Sequence, residues 1–141
     1  DGSYSKGNYT ITNSGTLIVE NAIIENKTAY ATGHMHSAVD NNSTTGNAKL
    51  VLNSGKIINE KYMAVRQFAN STTYSNDVIV NGGEIIGGSR AIWAQLPGTD
   101  SSKAVKVSII VNGGELTSLD TVKVLLDVLE ETTFSISTID S

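Results

Sequence analysis

The chain has 141 residues, a formal net charge of −4 and no cysteine, which fits one domain and excludes disulfides, thiolate chemistry and cysteine metal sites. Its 10 Lys and Arg residues are scattered rather than clustered, so nucleic acid and anionic membrane surfaces are not expected partners. Asn, Ser and Thr supply 44 of the 141 residues, a neutral amide-rich and hydroxyl-rich surface common in secreted and virion-surface β proteins. No apolar run reaches the roughly 18 residues that cross a bilayer, so membrane insertion is not expected, and the start at Asp1 without a leader suggests a processed protein or an excised fragment.

In chain order, residues 1–15 read as an N-terminal cap or partial coil, residues 16–126 as repeats, and residues 127–141 as a C-terminal partial coil or cap, all within one domain. The repeat is plainest in Val78-Ile79-Val80-Asn81-Gly82-Gly83-Glu84-Ile85 and Ile109-Ile110-Val111-Asn112-Gly113-Gly114-Glu115-Leu116, with an eroded copy at Leu50-Val51-Leu52-Asn53-Ser54-Gly55-Lys56-Ile57. Ungapped alignment places Ile18, Leu52, Val80 and Val111 in one column, at a period of about 30 residues that marks a repeat architecture. A second column reads Ile23, Ile57, Ile85 and Leu116. Third segments follow at Ala29-Tyr30-Ala31, Ala64-Val65-Arg66, Ala91-Ile92-Trp93 and Val122-Lys123-Val124.

These runs are short, rich in Val and Ile, and broken by Gly before a helix could complete, so each predicts a strand. Gly55, Gly83 and Gly114 fall where a sharp turn needs positive φ. Three strands closing a unit of about 30 residues, repeated, predict a parallel β-helix of about four to five coils stacked at about 4.8 Å. Stacking would turn Asn53, Asn81 and Asn112 into an asparagine ladder, with Lys56, Glu84 and Glu115 as the charged column beside it. The extra length falls in His34–Ala48, Phe68–Asn76 and Leu96–Val105, so long loops are expected along one edge. Leu119–Glu131 is open between capping helix and strand, while Phe134-Ser135-Ile136-Ser137 alternates and favours a fifth, incomplete coil.

Candidates for chemistry are few. His34 and His36, two apart, with Asp40 nearby are the best metal set, but a loop without a third histidine makes solvated side chains the expectation. A glycosidase or lyase would need concentrated carboxylates, whereas Asp77, Asp100, Glu84, Glu115, Arg66 and Arg90 are dispersed. The sequons at Asn8, Asn26, Asn41, Asn42 and Asn70 are of the number that such a composition yields by chance. Tyr30, Phe68, Tyr74 and Trp93 lie in or beside the long loops, where rings next to amides can stack on sugar faces; the opposing expectation for Trp93 is a core position. Leu17, Val51, Ile79 and Ile110 flank the anchors, so one of two aliphatic columns must point outward and be covered by a loop or by another chain.

Gly7-Asn8-Tyr9-Thr10-Ile11, the run from Gly15 to Ile24, the two Val-Asn-Gly-Gly-Glu copies and Arg90-Ala91-Ile92-Trp93 together resemble the pectate-lyase-like right-handed parallel β-helix domains of bacterial surface adhesins and phage tail or fibre proteins. The resemblance spans residues 7–126 and implies an all-β fold. The lyase catalytic and calcium-binding residues have no counterparts here, so it implies a non-catalytic member without cofactors. The expected function is adhesion at a cell or virion surface, binding a glycan or receptor through the loop edge. A structural spacer or homo-oligomeric assembly unit, and a polysaccharide-degrading enzyme, are the alternatives.

Overall fold

The computed structural model describes residues 5–28, 34–96, 105–120, 124–128 and 134–138, the last two stretches by backbone alone. The described residues form strands and connections without a helix, so none contains a helix long and apolar enough to cross a membrane. The strands are β1 (Ser5–Asn13), β2 (Thr16–Val19), β3 (Ala22–Glu25), β4 (His34–Asn42), β5 (Ala48–Leu52), β6 (Gly55–Asn59), β7 (Met63–Phe68), β8 (Ser75–Val80), β9 (Glu84–Gly87), β10 (Arg90–Gln95), β11 (Lys106–Val111), β12 (Glu115–Ser118), β13 (Val124–Val128) and β14 (Phe134–Thr138).

Every third strand joins the same sheet. The first sheet runs β1-β4-β7-β10-β13, the second β2-β5-β8-β11-β14 and the third β3-β6-β9-β12. All their pairings are parallel. The chain is therefore a parallel β-solenoid of about three turns, counting those with neighbours on both sides, where the repeat suggested four to five coils. Residues 124–128 are strand, and β13 and β14 extend the first and second sheets as a partial turn.

The core lies between the three sheets. Leu52, Val80 and Val111 stack in register with Val19, not Ile18. Ile57, Ile85 and Leu116 likewise stack with Ile24, not Ile23. Alignment thus places the first copy one residue out of register. The reason is its turn: Glu20-Asn21 lacks the glycine that marks the other copies, and Asn21 itself takes the positive φ of 50°, a conformation that Asn tolerates better than Ala22 could. Val19, Ile24, Leu50, Leu52, Ile57, Val65, Val78, Val80, Ile85, Ile92 and Ile109 are all buried in one continuous cluster, which at about 25 cal/mol per Å² of apolar surface is the main stabilising contribution.

The third strand of the first copy is also displaced. His34–Asn42 is strand β4 rather than a loop, and Ala29-Tyr30-Ala31 lies outside the described residues. Val39 of β4 pairs with Val65 and Val65 with Ile92, so β4 supplies the rung expected from the earlier segment. The long connections described throughout, at 43–47 and 69–74, both join the first sheet to the second and lie at one corner, while residues 97–104 of the third expected insertion are outside the described residues.

Candidate binding surfaces

Each corner of the solenoid solves the same problem, because a turning backbone leaves its own N–H and C=O groups without ladder partners. At the corner between second and third sheets, Gly55, Gly83 and Gly114 take φ values of 97°, 76° and 84°. A Cβ at Gly55 would overlap the carbonyl oxygen of Ala22 in the preceding turn. Along the outside of this corner Asn112 Nδ2 donates to Asn81 Oδ1 and Asn81 Nδ2 to Asn53 Oδ1, each at 2.8 Å. Asn53 Nδ2 donates in turn to Glu20 Oε1. Lys56 and Glu84 form an ion pair at 3.1 Å beside it, and Glu115 is the next residue in that column.

The long-loop corner carries a second amide ladder, buried, that the repeat alignment does not show. Asn13 Nδ2 donates to Asn41 Oδ1 and Asn41 Nδ2 to Asn76 Oδ1, both at 2.7 Å. Asn76 Nδ2 continues to the carbonyl oxygens of Asn41 and Phe68. Gln67 pairs with Asn41 in register and donates to the carbonyl oxygens of Asn76 and Ser108. The ladder escapes alignment because Asn76 enters it from β8, whereas Asn13 and Asn41 come from β1 and β4. Asn41 and Asn26 are buried in such roles, which rules out glycosylation at those two sequons in the folded chain.

This ladder fixes the loops outside it. Ser43 N donates to the Phe68 carbonyl and Ala69 N to that of Gln95. Ser75 N donates to Asn47 Oδ1 at 2.9 Å, linking one loop to the next. Thr73 N and Tyr74 N both donate to Ser71 Oγ. Thr44, Thr45, Asn47, Asn70, Thr72 and Thr73 are exposed along the corner, with Tyr74 half-buried among them.

The outer face of the first sheet is more closed than the sequence suggests. Trp93 is 7% exposed and packs with Tyr62 and Met63, so little of its ring faces solvent. Phe68 is half-buried with the Arg66 guanidinium 4.3 Å from its centroid. Tyr30 lies outside the described residues, which leaves Tyr74 as the expected aromatic most nearly on the loop corner. Arg66 also donates to Gln95 Oε1, to Tyr9 Oη and to Asp40 Oδ1. The Asp40 side chain is 2% exposed. Burial holds its carboxyl above the ordinary carboxylate range, a shift that Arg66 and the Asn42 amide only partly offset. Burial likewise raises the Tyr9 phenol.

Of the metal candidates His34, His36 and Asp40, two already have partners. Asp40 is committed to Arg66, and the buried His36 accepts from Asn8 N through Nδ1 and packs edge-on against Tyr62 at 4.7 Å. For His34 only the backbone is described, in β4. No group of three His, Asp or Glu side chains that could hold a metal is present among the described residues. Of the candidate acids, Asp77 accepts from the Ser75 and Ser108 hydroxyls, Glu84 is held by Lys56 and pairs in register with Glu115, and Asp100 lies outside the described residues. An open groove of about 330 Å³ sits at the third corner, lined by Glu25, Asn26, Lys27, Glu60 and Lys61, with Lys27 and Glu25 paired at 3.3 Å.

Comparison with protein-family models, curated proteins and solved structures finds no match for this chain.

Proposed function

We propose that this chain is a non-catalytic β-helix module of a cell or virion surface, of the adhesin or fibre kind, and that it binds glycan through the corner formed by residues 43–47 and 69–74. The observation that carries this reading is the buried Asn13–Asn41–Asn76 ladder, which anchors a row of exposed Thr and Asn side chains and Tyr74 on a rigid edge. Loops held by a regular scaffold are where recognition usually resides, and amide, hydroxyl and aromatic groups are the chemistry that meets a sugar's hydroxyls and its apolar face. Glycan-array binding with Tyr74→Ala and Asn47→Ala as controls tests it. Binding lost in both variants supports the corner; no binding to any glycan by the wild type refutes the reading.

A second reading, an assembly unit, is favoured by the outward aliphatic column of the second sheet, in which Ile18 is 58% exposed. It concerns a different face and is compatible with the first.

A further inference from the structure

We infer that the outward face of the second sheet docks a second copy of this chain, through a two-fold axis parallel to the strands that passes between β5 and β8. This rests on the assembly reading and does not depend on the loop corner.

Register places the outward residues in columns. One is Ile18, Val51, Ile79 and Ile110; the next is Thr16, Lys49, Asp77 and Ser108. Leu17 is not part of the outward column, as it packs on the core instead. An aliphatic column on a parallel sheet is normally covered, and here Val51, Ile79 and Ile110 remain partly exposed along with Ile18.

The order within the columns favours one partner. A two-fold axis parallel to the strands reverses the order of the turns while keeping each column opposite itself. Lys49 then meets the other copy's Asp77 and Asp77 its Lys49, a square of alternating charge. Val51 meets Ile79, Ile18 meets Ile110 and Thr16 meets Ser108. At the turn, Asn53 meets Asn81 and Glu20 meets Asn112, so no like charges face each other among these pairs. A two-fold axis along the solenoid instead keeps each turn opposite itself. It sets Lys49 against Lys49 and Asp77 against Asp77, or moves both onto the aliphatic column, at an electrostatic or desolvation cost.

Size sets the strength. Four strands at about 4.8 Å spacing and about five residues each at about 3.3 Å give a face of about 19 by 17 Å, about 650 Å² over the two copies, which is below the range of stable specific interfaces and in that of weak, transient ones. The dimer is therefore weak and concentration-dependent.

Sedimentation velocity over a concentration series of wild type, Lys49→Asp, Asp77→Lys and their equimolar mixture tests the inference, with circular dichroism and thermal melts establishing that each variant folds. The expected result is reversible dimerisation of the wild type, weakened at least tenfold in each variant and restored in the mixture, where unlike variants again pair opposite charges. Because Asp77 also holds two Ser hydroxyls, Lys49→Glu and carbodiimide cross-linking of mixed isotope-labelled wild-type copies give an independent readout, a Lys49–Asp77 link between chains. A wild type that stays monomeric at every concentration overturns this inference and the assembly reading together. Dimerisation that ignores the charge substitutions, or is not restored in the mixture, overturns this inference and leaves the assembly reading standing.

Discussion

Asn41 and Asn81 belong to similar amide ladders in opposite surroundings, and the contrast decides what each is worth. Asn81 is exposed, so water replaces its partners when it is removed, and Asn81→Ala should cost about 1 kcal/mol or less. Asn41 is fully buried and bonded to Asn13, Asn76 and the carbonyl oxygens of Ala48 and Asp77. Asn41→Ala strands these groups away from water and should cost about 3 kcal/mol. Urea titration of the two variants checks the order, and equal costs would refute the burial argument. Asp40 gives a pH prediction with a definite sign. Its folded-state pKa is raised above 3.8, so the folded chain binds the proton more tightly than the unfolded one. The contribution of Asp40 is then fully present below 3.8 and declines as pH rises through the folded value. Asp40→Asn should remove that part of the decline, which urea midpoints measured across the acid range for both proteins would show.

At the scale of the element, the turns and the buried ion pair carry different risks. Gly55 combines φ of 97° with contact against the Ala22 backbone of the turn below, so Gly55→Ala both strains β6 and forces it away from β3. The expected loss is about 2 kcal/mol or more, read as a lowered thermal midpoint. Exposed Gly15, where an added Cβ meets nothing, is the matched control. Arg66 is the only partner that neutralises the Asp40 charge among the contacts described. Arg66→Gln should therefore destabilise by about 3 kcal/mol by leaving a buried carboxylate unpaired, while the double variant with Asp40→Asn should recover much of that loss. A double-mutant cycle by chemical denaturation checks the coupling, and simple additivity would sink it. These two elements also show what was legible beforehand. The glycine turns could be read because their residue type and spacing repeat. The Arg66 cluster could not, since it joins Tyr9, Asp40, Phe68 and Gln95 from four different strands whose alignment within the first copy was displaced.

For the whole molecule, a stack in which each turn touches only its neighbours makes stability a sum of turn and interface contributions. Strands β5–β9 have partners on both sides, whereas β2 and β3 lie at the open ends of their sheets. Native-state hydrogen exchange should therefore protect the amides of β5–β9 most and those of β2 and β3 least. Uniform protection from end to end would instead mark one all-or-none unit. The same one-dimensional plan fixes where recognition can occur, because side faces are the surfaces that every turn presents.

The sequence by itself determined the architecture: residue type recurs with a period equal to one turn, and that period specifies strands, glycine turns and the parallel stack. It also placed the outer Asn53–Asn81–Asn112 column, since those residues hold the same position in each copy. Only the tertiary structure decided the register of the first turn, the packing of Trp93 against Tyr62 and Met63 on the outer face of the first sheet, and the inner ladder through Asn13, Asn41 and Asn76. The physical reason is common to all three. Each depends on side chains that occupy non-equivalent positions in successive copies, and these become neighbours only when the coils are wound and the loop lengths absorbed.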